Sequence, residues 1–117
     1  MRKYCSRVVI ENFFEPCMLF LLITAPSYGY ELKNNLHQRC GCNVNLGNLY
    51  KCLGRLEKSG CVKKKKTAGV GGPDRVVYSI TSKGEKLLKT WIDELEQEVA
   101  IINKLITNYK KHYANSK

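Results

Sequence analysis

At 117 residues the chain has the length of one domain with a real but modest core. Its formal net charge of +10 favours a polyanionic partner. An anionic membrane surface would also satisfy the charge, but the basic run lacks the interleaved apolar face of an interfacial helix. Six cysteines invite a disulfide framework, yet no secretory signal supports one, so the thiols are expected to be reduced and the protein cytoplasmic.

Residues 1–9 are basic and mildly apolar, with Val8, Val9 and Ile10 able to pack on a neighbour. A first helix is expected from Pro16, a favoured first-turn residue, to Ala25, where Pro26 stops it. The run Cys17–Ala25 is apolar nearly all round, which predicts a central buried helix. It is too short to span a bilayer, and Glu11, Glu15 and Pro16 spoil it as a leader.

Ser27 can cap a second helix, Tyr28 to about Arg39, with Tyr30, Leu32 and Leu36 as core candidates. Gly29 allows close backbone approach, either to the first helix or to a phosphate. Cys40-Gly-Cys42 then turns the chain.

Asn45 to Cys61 reads as one amphipathic helix with both ends marked. Asn45 suits the N-cap and Gly60 the left-handed position after the last turn. Leu46, Leu49, Leu53 and Leu56 fall on one face, while Asn48, Lys51, Arg55 and Lys58 fall on the other. An anchored leucine stripe backed by amides and cations suits a helix lying in a DNA major groove; an ordinary solvated surface helix has the same pattern. Three short helices in a row, the third basic outside, make a helix-turn-helix.

The period changes after Gly60. Cys61–Lys66 and Arg75–Ile80 suit two strands, joined by the turn-rich Thr67–Asp74, and a hairpin after a recognition helix is a wing. Its tip, with Gly69, Gly71 and Gly72 followed by Arg75, can reach the minor groove or its phosphates. Residues 51–75 hold eight cations (Lys51, Arg55, Lys58, Lys63, Lys64, Lys65, Lys66, Arg75) against Glu57 and Asp74, which concentrates the surplus here. The tetralysine serves equally as a guard against edge-strand aggregation.

Thr81 caps a last helix, on which Leu88, Ile92, Leu95, Val99, Ile102, Ile106, Tyr109 and Tyr113 recur at alternating spacings of four and three. Some thirty residues make a helix about 45 Å long, more than a small domain can cover. A second copy of the chain is the economical partner, giving a two-fold homodimer; a helix folded back on its own domain is the other reading. The fold class is therefore mainly α with a small β-hairpin (α+β): a winged helix-turn-helix domain over residues 1–82 and a dimerisation helix and tail over 83–117.

Three ordered motifs resemble those of PadR-like transcriptional regulators. Ala25-Pro-Ser-Tyr-Gly-Tyr-Glu-Leu32 is similar to "GPxHGYEL"; Leu49-Tyr50, Leu53, Arg55-Leu56-Glu57 and Gly60 to "TLYxxLxRLExxGL"; Gly71-Gly-Pro-Asp-Arg75, Tyr78 and Ile80–Gly84 to "GGPxRxxYxLTxxG". The resemblance spans about residues 17–95 and looks like the smaller branch, with a single C-terminal helix. It implies a winged-helix homodimer that represses promoters, often its own and that of a neighbouring transporter or detoxification gene. By position Tyr50 is the motif tyrosine at the DNA-facing helix start, Arg75 the wing arginine and Tyr78 the strand tyrosine. Tyr28 replaces the usual histidine, Asn48 a threonine and Cys61 a leucine. The family also sets an arginine at Arg55 in structural company with Glu57. Some members bind flat aromatic compounds at the dimer interface on a tryptophan of the last helix. Trp91 is the sole tryptophan here, one turn nearer the wing and beside the heptad stripe, so plain packing is an equal reading.

The expected partners are thus double-stranded DNA at a pseudo-palindromic operator, a second copy of the chain, and a small aromatic effector, with no membrane and no cofactor. Asn48 and Lys51 are assigned to base edges, and Tyr28, Tyr50, Arg55 and the wing residues Lys64, Lys65, Lys66, Gly72 and Arg75 to the DNA backbone; Asn45 joins them at the helix cap. Cys40, Cys42, Cys52 and Cys61 lack the spacing of a structural zinc site. His37 and His112 stand far apart and no nucleophile–base set accompanies them, so no catalytic residue is assigned. A winged-helix interaction module without sequence-specific DNA binding, or a thiol-based redox-sensing regulator, remain the alternatives.

Overall fold

The structure, a computed structural model, describes residues 13–69, 71–73 and 75–115. Val8, Val9 and Ile10 therefore lie outside the described residues. Helix α1 spans Phe14–Thr24, starting earlier than expected because Glu15 and Pro16 both suit a first turn. It ends where Ala25 turns extended before Pro26. Met18, Leu19, Leu21 and Leu22 are buried, but Phe20 and Ile23 are exposed, so the helix is not covered all round. Its neighbours α2 (Gly29–Cys40), β3 (Arg75–Ile80) and α4 (Ser82–Asn115) leave that side open.

Ser27–Tyr28 form β1, a strand absent from the sequence reading, which pairs antiparallel with β3 through Ser27↔Tyr78 and Tyr28↔Val77. Two residues offer no alternation to read, and only the partner strand defines them. Ser27 is consequently not the helix cap, since its hydroxyl donates to the Ala25 carbonyl at 3.1 Å. Tyr28 precedes α2 instead, and its N–H donates to the Glu31 carboxylate at 2.8 Å. Within α2, Leu32 and Leu36 are wholly buried while Tyr30 is exposed. A residue two positions from Leu32 points to the opposite side of the helix, so Tyr30 is no core contact.

Helix α3 covers Leu46–Lys58, with the Asn45 side-chain oxygen accepting the Asn48 N–H at 2.8 Å. It closes as expected at Gly60 (φ +83°), where the Cys61 N–H donates to the Leu56 carbonyl at 2.8 Å and the Gly60 N–H to Glu57 at 3.0 Å. Leu49, Leu53 and Leu56 are buried with Cys52, each leucine contributing about 1.5–3 kcal/mol by leaving water.

Strand β2 (Val62–Thr67) pairs with β3 in the order β1-β3-β2, so β2 is an edge strand. Only Val62 on it is buried; Lys63 to Lys66 are all exposed because the hairpin extends beyond the helices.

Thr81 caps α4 as expected, accepting the Gly84 N–H at 3.1 Å and donating to the Gly60 carbonyl at 2.6 Å. Gly84 is required there, since a Cβ would overlap the Cys61 carbonyl oxygen. Leu88 is buried in the chain's own core, 7% exposed, and so leaves the stripe assigned to a second copy. Beyond it α4 runs out of the domain, giving the molecule extents of 69 × 26 × 21 Å.

Candidate nucleic-acid interface

The geometry of α3 follows from its buried stripe. With Leu49, Cys52, Leu53 and Leu56 inward, the line opposite is Gly47, Lys51, Gly54 and Lys58, all exposed. Asn48 and Arg55 flank this line on the side of α1, and Tyr50 flanks it on the side of α2. Asn48, Lys51 and Arg55 border one open groove together with Phe14 and Cys52.

Tyr50, Tyr28 and Arg75 meet elsewhere. They converge with Gly29, Tyr30 and Glu31 on a cleft of about 390 Å³. The Arg75 guanidinium carbon lies 4.9 Å from the Tyr28 ring centre, within cation–π range. Tyr50 lies across Gly29, where a Cβ would overlap its phenol oxygen, and its ring centre is 6.5 Å from that of Tyr78. The close approach expected at Gly29 is therefore made to Tyr50 and not to α1. Burial, followed by the nearby Tyr50 and Glu57, raises the Tyr78 phenol.

The wing is tied to α3 by Lys64, whose ammonium lies 3.5 Å from Glu57. Lys65 and Lys66 are exposed along β2, and Gly72 is exposed at the tip; Val70 and Asp74 lie outside the described residues. Asn45 is exposed too, with its side-chain oxygen engaged in the cap.

Arg55 departs from expectation. Its partner is Glu15 of α1, through Nη2 at 2.7 Å, and Glu57 is held by Lys64 instead. Glu15, in the sequence only a charge on the approach to the apolar run, is 6% exposed and joins α1 to α3 and α4. Its Oε2 accepts the Trp91 indole N–H at 2.9 Å, and Cys52 Sγ lies 3.8 Å from Oε1. An acid inside an apolar helix that must be buried needs such partners, which is the signal that would have exposed it. Trp91 is half-buried against the core.

Among the described residues Cys17, Cys40 and Cys42 lie together, while Cys52 and Cys61 have separate neighbours. Burial, then the neighbouring Cys40 and Cys42, pushes the Cys17 thiol of α1 up, and the Cys42 thiol donates to the Cys40 carbonyl at 3.8 Å. Burial, then the Glu15 charge, pushes the Cys52 thiol to about 11, while Cys61 Sγ accepts from the Ser59 hydroxyl at 3.5 Å. Cys40, Cys42, Cys52 and Cys61 do not share one site. Among the described residues no group of three or more His, Cys, Asp or Glu side chains could hold a metal ion.

On α4, Ile92, Val99, Ile102, Ile106 and Tyr109 are exposed and Leu95 is half-buried. Ile101 and Leu105, not included in the stripe, are the most open at 69% and 70%. Among the described residues no helix is long and apolar enough to cross a membrane.

The "Transcriptional regulator PadR-like family" matches residues 18–90, from the buried half of α1 through the wing to the joint of α4. The chain belongs to the PadR-like family. Its fold is shared by a transcriptional regulator of Clostridium thermocellum, 33% identical over 82% of this chain and 95% of that one, with a TM-score of 0.73. A PadR-like regulator of Bacillus cereus is 28% identical over 86% of this chain and 94% of its own, with a TM-score of 0.64. A Streptococcus transcriptional regulator is 29% identical over 80% and 95%, with a TM-score of 0.65. No curated protein matches the chain. As a PadR-like protein it is a DNA-binding transcription regulator and not an enzyme.

Proposed function

We propose that two copies of this PadR-like chain, clasped along α4, place their α3 helices in successive major grooves of a pseudo-palindromic operator about 34 Å apart. The complex would repress its own and neighbouring promoters from the cytoplasm. The observation that carries this reading is α3 itself: a helix with both ends marked, Leu49, Leu53 and Leu56 buried and Leu46 half-buried, with Asn48, Lys51 and Lys58 open outside. Lys51 and Asn48 read base edges. Tyr28, Tyr50 and Arg75, gathered at the start of α2, hold the sugar–phosphate backbone, where the first N–H groups of a helix also favour phosphate. Lys65, Lys66 and Gly72 extend that contact along the wing.

Residues 1–82 serve as the DNA-binding unit, and 83–117 carry the dimerisation element, which leaves the core of that unit beyond Trp91. An aromatic effector would meet the half-open face of Trp91, and quenching of its emission by planar aromatic compounds tests that role. A stacked aromatic ligand also requires the two α4 helices to part near this joint.

A fluorescently labelled duplex taken from DNA flanking the protein's own gene, titrated at low and moderate salt, tests the central reading. Binding should weaken steeply, with a slope of about −0.9 per phosphate contacted. Absence of binding at low salt overturns it. Footprinting should then reveal two protected half-sites one helical turn apart.

A further inference from the structure

We propose that Glu15 is a positioning residue that ties the DNA-facing helix α3 to the long helix α4, holding Arg55 with one carboxylate oxygen and Trp91 with the other. The inference rests on the DNA-binding reading above and adds how the two ends of the chain communicate.

The geometry is specific. Glu15 Oε1 accepts from Arg55 Nη2 at 2.7 Å and Oε2 from Trp91 Nε1 at 2.9 Å. The carboxylate is inside the fold, whereas the Arg55 side chain is 62% exposed. Burying that carboxylate without partners would be strongly unfavourable, so its two contacts rise and fall together. Among the described residues only Nη2 of the Arg55 fork is engaged. The remaining donors of the fork stay turned to solvent, beside the groove that Asn48 and Lys51 border. A phosphate oxygen can therefore be taken by one arm of the guanidinium while Glu15 keeps the other, which fixes the planar fork before DNA arrives.

Trp91 makes the second contact at a telling place. Leu88, one turn earlier, is in the core, and Ile92, the next residue, begins the exposed part of the stripe. A phosphate pulling on Arg55 shifts the carboxylate, and the carboxylate moves the indole at the root of the dimerisation helix. The coupling is reciprocal: a change in α4 that withdraws the indole leaves Oε2 unpaired and alters how Arg55 meets phosphate.

Trp91 is the only tryptophan, so its emission reports on this joint without a label. The first test uses the full chain without DNA. Arg55→Ala should shift Trp91 emission in the natural background and by less than about a third as much in Glu15→Gln, as coupled residues require. Equal shifts in both backgrounds overturn the proposal. The second test uses the labelled duplex. Trp91→Phe, which keeps an aromatic side chain but loses the pyrrole ring and its N–H, should weaken binding about five- to tenfold, and in Arg55→Ala protein it should add almost nothing. Additive losses, or unchanged affinity in Trp91→Phe, overturn the link to DNA. A duplex that does not bind the natural chain at all removes the DNA reading and the DNA role of this link together. The DNA-free measurement still decides whether Glu15 couples the two side chains.

Discussion

Up to Trp91 the last helix belongs to a closed core, and from Ile92 onward it carries the same kinds of residue into solvent. Gly84 lets its first turn press on the Cys61 backbone, and Leu88 is buried in the core. Two heptads after Leu88, Ile102 holds the equivalent position and Ile106 that of Ile92, and both are exposed, at 37% and 44%. The repeat does not distinguish the two segments; what they meet does. The near segment finds its partner within one chain; the far segment, whose wider apolar face includes Ile101 and Leu105, is the one proposed to meet another copy.

The comparison breaks most visibly at the far end. Changing Ile102 and Ile106 together to Glu should halve the particle mass in light scattering and weaken operator binding about a hundredfold or more, because the second half-site no longer arrives tethered. The near half should survive with its helical signal largely intact. An unchanged mass would mean that this face is not the seam. The opposite result is expected for Leu53→Ala, a wholly buried position under α3. That change should cost about 2–5 kcal/mol in denaturant unfolding without a specific effect on subunit mass. At fixed protein concentration the two variants separate association from folding.

The same contrast explains what could be read in the sequence. The α3 stripe, the Asn45 cap, the Gly60 stop and the two wing strands were legible because each is local: a period, a side chain one turn away, a left-handed residue. Leu88 was not separable from Ile92, since a heptad carries no mark of which copy its residues will face. β1 escaped because two residues have no period, and its identity comes from Val77 and Tyr78 some fifty positions later. For Glu15 an acid in an apolar helix signals that partners are needed, but Arg55 and Trp91 lie far along the chain and only the packing of α1 between them says which they are. Tyr30 was misplaced by its aromatic character, although its position relative to Leu32 already set it outside.

Within the cationic half, smaller changes sharpen the division between reading and holding. Lys51→Ala should lower affinity about tenfold and relax sequence preference, since a good base contact is worth about 1–3 kcal/mol. Lys65→Ala should instead weaken all duplexes alike and reduce the salt slope by about one contact. If Lys51→Ala weakened every sequence equally, its assignment to a base edge would fail. Gly54, on the same outward line and with open space around it, should respond with opposite signs. Alanine there should stabilise the helix by about 0.5–1 kcal/mol while a bulkier leucine obstructs the approach to base edges and lowers affinity.

The smallest expected effect lies between the two halves, at Cys52, which touches both Glu15 and Arg55. Burial, then the carboxylate charge, raises its thiol from 9.0 to about 11. A folded state that holds the proton more tightly than the unfolded chain is favoured by it fully below pH 9, and the advantage is lost as pH rises through about 11. Compared with Cys52→Ser, the natural protein should therefore lose its relative thermal stability over that alkaline interval and keep it unchanged from pH 6 to 8. Cys17 titrates in the same direction in both proteins, so the difference between the two curves isolates Cys52. A difference that instead develops between pH 6 and 8 would mean the thiolate forms near neutrality, and with it that the junction of α1, α3 and α4 is open to water.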